Sequence, residues 1–162
     1  MLDNPVGKTS KRPIIAKRRG MSAKRQREMG AFTIDPSTCT YAKYISLHML
    51  WTQYITDISG PSSTITSLQA KIVKADFHGA IFTVVRTKCP SFLGIKGIVL
   101  QETENMFRIV TELNQLKILP KLGNVFEFSY GNIIVTIYGS QIRYRACERA
   151  VRKFKNKDTI SL

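Results

Sequence analysis

The sequence predicts a mainly β protein, a small, twisted antiparallel barrel of six or seven strands with helices before it and a basic helix after it. Three observations lead there. Short runs rich in β-branched and aromatic residues fill the stretch from Gly79 to Tyr144: Ala80–Arg86, Ile95–Glu102, Met106–Thr111, Gln115–Pro120, Val125–Tyr130, Ile133–Tyr138 and Gln141–Tyr144. The breaks between them, such as Glu104-Asn105, Leu113-Asn114, Gly123-Asn124 and Gly131-Asn132, are too short for a parallel crossover, so successive strands join antiparallel as a meander. Finally, about 65 residues of strand and turn are too few for two full sheets but suit a barrel filled by side chains.

Alternation within the runs supports one buried face. Val125, Glu127 and Ser129 interleave with Phe126, Phe128 and Tyr130, and Phe107, Ile109 and Thr111 with Arg108 and Val110. Gly94 and Gly97 suit a strand that bends at a barrel corner.

Three segments divide the chain: a basic arm over 1–32, a helical segment over 33–75, and the barrel with its C-terminal helix over 76–162. The arm lacks hydrophobic periodicity, contains Pro5 and Pro13, and holds the groups KTSKRP, AKRRG and AKRQR, so it is expected to be disordered. Lys17, Arg18, Arg19, Lys24 and Arg25 suit nuclear targeting or tracking of an RNA backbone, against the plainer reading of a solubilising tail.

Asp35-Pro36 reads as a helix start and Gly60-Pro61 as its end. Between them Tyr41, Tyr44, Ile45, Leu47, His48, Trp51, Tyr54, Ile55 and Ile58 share one broad face, with Lys43, Ser46, Gln53 and Asp57 opposite. That face is wider than a barrel flank needs, so Tyr44, Leu47, Trp51 and Tyr54 are expected to dock a partner protein as well. His48 reads as a packed histidine. Ser62–Ser67 is a polar linker and Leu68–Lys74 a short amphipathic helix. Asp76 and His78 have no nucleophile motif or third ligand beside them and read as a structural turn.

In the C-terminal helix Cys147, Ala150, Val151 and Phe154 form an apolar stripe expected to clamp the barrel. Arg145, Arg149, Arg152 and Lys153 lie opposite, and the basic face continues into Lys155 and Lys157.

Charge narrows the partner. The 162 residues carry 25 Lys and Arg against 11 Asp and Glu, a formal +14, which a polyanion would neutralise. Residues 1–30 hold nine basic and two acidic side chains, residues 141–162 seven and two, and the body between nine and seven. Nucleic acid fits this best. A membrane surface fits poorly, because the basic segments lack a bulky apolar face. Cys39, Cys89 and Cys147 lack CxxC spacing and paired histidines, which argues against a disulfide framework or a zinc site. With no long apolar segment and no signal-like start, a nuclear or cytosolic chain is expected.

Several runs carry a family resemblance. KADFHGAIFTVVRTKCPSFLGIKGIVLQET at 74–103, LKILPK at 116–121 with VFEF at 125–128, and YGSQIRYRACERAVRKFKNKDTISL at 138–162 resemble the ribonuclease P protein subunit family known as the twenty-nine-kilodalton subunit, shared by archaea and eukaryotes. LHMLWTQYI at 47–55 is similar to its eukaryotic members. The resemblance spans residues 41–162 and leaves the arm unmatched. It implies an Sm-like barrel and a non-catalytic, RNA-binding subunit of the ribonucleoprotein that removes the 5′ leader of precursor tRNA, shared in eukaryotes with ribonuclease MRP and hence with rRNA processing. It also implies that Mg²⁺ belongs to the catalytic RNA and that this chain binds no cofactor. The partners implied are that RNA, the zinc-ribbon twenty-one-kilodalton subunit, other ribonuclease P/MRP proteins and precursor tRNA, in the nucleus and nucleolus.

On that reading Lys88, Lys96, Lys117, Lys121, Arg143 and Arg145, at strand ends and turns, reach RNA together with Lys17, Arg18, Arg19, Arg149, Arg152, Lys153, Lys155 and Lys157. Three alternatives stand beside it. One is a metal nuclease using Asp76, His78, Glu102 and Glu104, although Glu102 and Glu104 flank a turn where they read as solvated. The others are a homomeric Sm-like ring and an Sm-like subunit of another ribonucleoprotein.

Overall fold

The computed structural model describes residues 20–30, 33–60 and 64–154, in two compact units, Met1–Ile34 and Asp35–Leu162. In the first, a short helix α1 covers Ala23–Glu28 where the sequence led us to expect no structure. The Ser22 hydroxyl accepts the Arg25 N–H at 3.3 Å, and AKRQRE contains only good helix formers. Lys17, Arg18 and Arg19 lie outside the described residues.

The second unit begins with a surprise in its first helix. Asp35 does cap, accepting the Ser37 N–H at 2.9 Å, but what it caps is a single 3₁₀ turn, Pro36–Thr38. Helix α2 itself spans Tyr41–Ser59. Its start is set by tertiary structure, because the free N–H of Tyr41 donates to Asn114 Oδ1 at 2.7 Å. Gly60, with φ of 67°, ends it as expected. Helix α3 spans Ile65–Lys74, three residues longer than its apolar pattern, with Thr64 as N-cap, and buries Leu68 and Ile72.

Six strands follow: β1 Ile81–Thr87, β2 Lys96–Glu102, β3 Met106–Thr111, β4 Leu116–Pro120, β5 Asn124–Tyr130 and β6 Ile133–Tyr138. All pair antiparallel, in the order β4-β3-β2-β1-β5-β6. The expected meander therefore holds from β1 to β4 and then breaks, since β5 returns to pair with β1. Strong curl makes this possible. The register shifts between Val84 and Arg86 and between Val99 and Gln101 bend the sheet. At Gly97 a Cβ would sit 2.4 Å from the Val110 carbonyl oxygen, so only glycine permits the bend there. The edges meet at one end, where Gly139, just past β6, leaves room for no Cβ against the Lys121 carbonyl just past β4. Among the described residues no ladder joins β4 to β6, so the sheet curls without hydrogen-bonded closure. The seventh expected strand, Gln141–Tyr144, is instead a 3₁₀ turn, Gly139–Ile142, followed by helix α4 at Ala146–Val151.

The inside of the curl is aromatic. Phe82 packs against Phe107, Phe126 and Phe128 at 5.2, 5.6 and 5.7 Å between centroids, and Phe77 covers the group from the α3–β1 connection. Trp51 of α2 meets Phe128 edge-on at 5.3 Å. Trp51 is thus a core residue, 4% exposed, and not a partner contact as the sequence suggested. Its indole N–H donates to the Asp76 carbonyl at 2.8 Å, and the Tyr54 hydroxyl accepts the Asp76 N–H at 3.1 Å. Tyr44 and Leu47 are half-buried; the apolar side chains α2 leaves most open are Ile45, Met49 and Leu50.

Candidate nucleic-acid interface

Beneath the basic surface lies a buried charge cluster that the sequence did not reveal. Glu102, at the end of β2, stands opposite Phe107 in the β2–β3 ladder and so points inward with it. Its carboxylate is fully buried between two cations. Lys121 Nζ donates to Oε1 at 2.7 Å and to the carbonyls of Ile142 and Tyr144 at 3.0 and 2.8 Å, and lies over the Phe107 ring. Arg149 donates to both oxygens, at 3.3 Å from Nε and 2.6 Å from Nη2. Its Nη1 reaches the carbonyls of Val73 and Ala75 at the end of α3, and the guanidinium covers Phe77 at 4.0 Å. Burial pushes Lys121 below its usual range, and the neighbouring Glu102 carboxylate works against that shift.

Three expectations are corrected here. Lys121 and Arg149 are not RNA contacts, because their side chains are wholly inside and committed to Glu102. Glu102 is not solvated. The stripe expected to clamp the C-terminal helix is also on the wrong side: Cys147, Ala150 and Val151 are exposed, Val151 at 83%. A dehydrated carboxylate needs cations more than a curled sheet needs three small apolar groups, so α4 turns Arg149 inward.

The cluster fixes what surrounds it. Lys121 N–H donates to the Asn105 carbonyl at 2.8 Å, and Arg143 reaches Asn105 Oδ1 with Nε and Nη2 at 3.2 and 2.9 Å. Lys88 N–H donates to the Gly123 carbonyl at 2.9 Å, with its stem packed against Gly123. Arg145 caps α4, its N–H on Glu148 at 3.5 Å, and Arg152 lies over the Tyr144 ring. The β4–β5 corner thus gathers Lys88, Arg143, Arg145 and Arg152, all exposed, and Lys153 follows. Lys96 and Lys117 are exposed but belong to the other end of β3: Lys96 pairs with Glu112 at 3.7 Å, and Lys117 stands opposite Ile109. Lys155 and Lys157 lie outside the described residues.

The Asp76–Gly79 turn behaves as read. Asp76 Oδ1 accepts both the His78 N–H at 3.1 Å and the ring Nδ1–H at 2.5 Å, while His78 Nε2 accepts the Glu102 N–H at 3.3 Å. The bond to Asp76 raises the His78 pKa against the opposing effect of burial. Burial alone would raise Asp76, but its bonds to His78 outweigh that and hold it below the usual carboxylate range. His48 Nδ1 bonds the Gly79 carbonyl at 2.9 Å, as a packed histidine should.

Sequence reasoning missed the buried role of Glu102, and with it the parts played by Asn105 and Tyr144. A usable signal existed for the first: a short turn after Glu102 sets it against Phe107 in a hairpin, and directly opposed residues share a face.

A sequence profile of the family described as "Ribonuclease P/MRP, subunit p29" matches residues 70–152. The ribonuclease P protein subunit p29 of Mus musculus is 45% identical over 155 residues, covering 93% of this chain and 70% of its own length. That of Homo sapiens is 46% identical over 149 residues, covering 90% and 68%. A solved structure of Mth11, described as a homologue of human RNase P protein Rpp29, is 29% identical, covering 46% of this chain and 97% of its own, with a TM-score of 0.37.

Proposed function

Since the chain belongs to the ribonuclease P/MRP subunit p29 family, we propose that it is a non-catalytic, RNA-binding subunit of that ribonucleoprotein, stabilising the RNA that removes the 5′ leader from precursor tRNA. The observation that carries this reading is the exposed basic corner, Lys88, Arg143, Arg145 and Arg152, set on a buried salt-bridge cluster that holds its backbone in place. Folded RNA crowds phosphates together, and a fixed array of cations lowers their repulsion. Mg²⁺ belongs to the RNA in this scheme. The exposed Ile45, Met49 and Leu50 of α2 suit a protein neighbour, for which the zinc-ribbon subunit is our candidate. The basic arm fits a nuclear and nucleolar location.

The test is charge reversal. Arg143→Glu, Arg145→Glu and Arg152→Glu together should weaken binding to ribonuclease P RNA by at least about tenfold with the fold intact by circular dichroism, three lost contacts being worth this much at moderate salt. Lys96→Glu with Lys117→Glu should do far less. Equal effects of the two sets, or none, would refute the placement.

A further inference from the structure

Around Tyr144 the C-terminal segment gathers planar groups that phosphate binding alone does not require. The Arg152 guanidinium lies over the Tyr144 ring, 4.1 Å from its centroid, and Tyr144 meets Phe154 edge-on at 6.2 Å. Tyr144 is pinned at both backbone groups: its carbonyl accepts Lys121 Nζ at 2.8 Å, and its N–H donates to the Ile142 carbonyl at 2.8 Å. Arg152 is exposed and, among the described residues, forms no ion pair. Tyr144 therefore covers one side of the guanidinium, while among the described residues the side chain as a whole stays exposed. A cation needed only as counter-charge gains little from being held over a ring, since a lysine on a flexible stem serves as well. A guanidinium already seated on a ring loses little freedom on binding and offers a delocalised surface on which an unpaired base can stack.

We infer that Arg152, backed by Tyr144, is a stacking platform for an unpaired RNA base, with Arg143 and Arg145, the chain neighbours of Tyr144, taking the adjacent phosphates. This rests on the RNA-binding reading above and adds the kind of RNA recognised: a loop, bulge or single-stranded segment in preference to a continuous duplex.

The experiment compares two oligoribonucleotides of equal charge, a hairpin with 2-aminopurine in its unpaired loop and a blunt duplex, binding to the full chain. Wild-type protein should favour the loop RNA and change the 2-aminopurine fluorescence. Arg152→Lys keeps the charge and removes the plane; it should lose about five- to a hundredfold in affinity for the loop RNA, abolish the fluorescence change, and leave duplex binding nearly unaltered. Tyr144→Leu, which alters no charge, should reproduce that pattern. If Arg152→Lys binds both RNAs as wild type does, or weakens equally on both, Arg152 is a phosphate contact and the platform is wrong. A wild-type chain that binds neither RNA would overturn the RNA-binding reading itself, and the platform with it.

Discussion

A carboxylate taken out of water between Lys121 and Arg149 is stable only while both cations remain. Removing Arg149 leaves Glu102 half-neutralised and the carbonyls of Val73 and Ala75 without a donor, so Arg149→Ala should cost about 3–5 kcal/mol. Arg152→Ala, three residues on and exposed, should leave the unfolding midpoint nearly unchanged. Urea titration of the two variants separates the roles, and similar losses would mean that Arg149 is not the buried partner. His78 offers a second test. Its bond to Asp76 raises its pKa, and the opposing Glu102 N–H contact, which favours the neutral ring, is long at 3.3 Å. Stability from the Asp76–His78 pair should be fully present below the unfolded pKa of about 6.5 and lost as pH rises through the elevated folded value. His78→Gln should abolish the difference in thermal midpoint across that window; a wild-type midpoint that is flat from pH 6 to 8 would contradict the shift. The Asp76–His78 turn was legible in sequence, but the Arg149 role was not, because pattern reading assigns every Lys and Arg to the solvent side and cannot see that Glu102 is balanced by charges 19 and 47 residues away.

At the level of elements the strands and the β1–β4 meander were readable, and the return of β5 to β1 was not. Met106–Thr111 and Ile133–Tyr138 form as read because β-branched runs between turn residues leave few alternatives. Gln141–Tyr144 had the same local look, yet its Ile142 and Tyr144 carbonyls are taken by Lys121 Nζ in place of a neighbouring strand. The return of β5 to β1 depends on curl accumulated over four strands, which no short window contains. α2 docks onto this sheet through one tight approach: at Gly79, with φ of 92°, a Cβ would lie 2.7 Å from the Leu47 carbonyl oxygen and 2.9 Å from Trp51 Cβ. Gly79→Ala must therefore push α2 outward, at a cost of about 1–3 kcal/mol from the backbone conformation alone. Trp51 is the only tryptophan in the chain, so its emission reports this directly. The variant should show a red-shifted spectrum in the native state, and an unshifted one would mean that the helix tolerates the methyl group.

For the molecule as a whole, the proposed RNA role turns on the sign and placement of charge. Both ends of the sequence are strongly basic, but the structure shows that a count of basic residues is not a count of contacts, since Lys121 and Arg149 are fully spent inside. Each side chain that neutralises a phosphate should contribute close to one unit to the slope of log affinity against log salt. Arg143→Gln and Arg145→Gln should each lower that slope by about one unit, and Lys88→Gln likewise, because all three stand exposed round the β4–β5 corner. Lys96→Gln should change it much less, its ammonium being paired with Glu112 and set at the far end of β3. Salt titrations of the four single variants against one structured RNA would resolve this residue by residue. If Lys96 proved to carry as large a slope as Arg143, the RNA would have to run along the sheet toward the β3–β4 turn, and the corner would cease to be the centre of the interface.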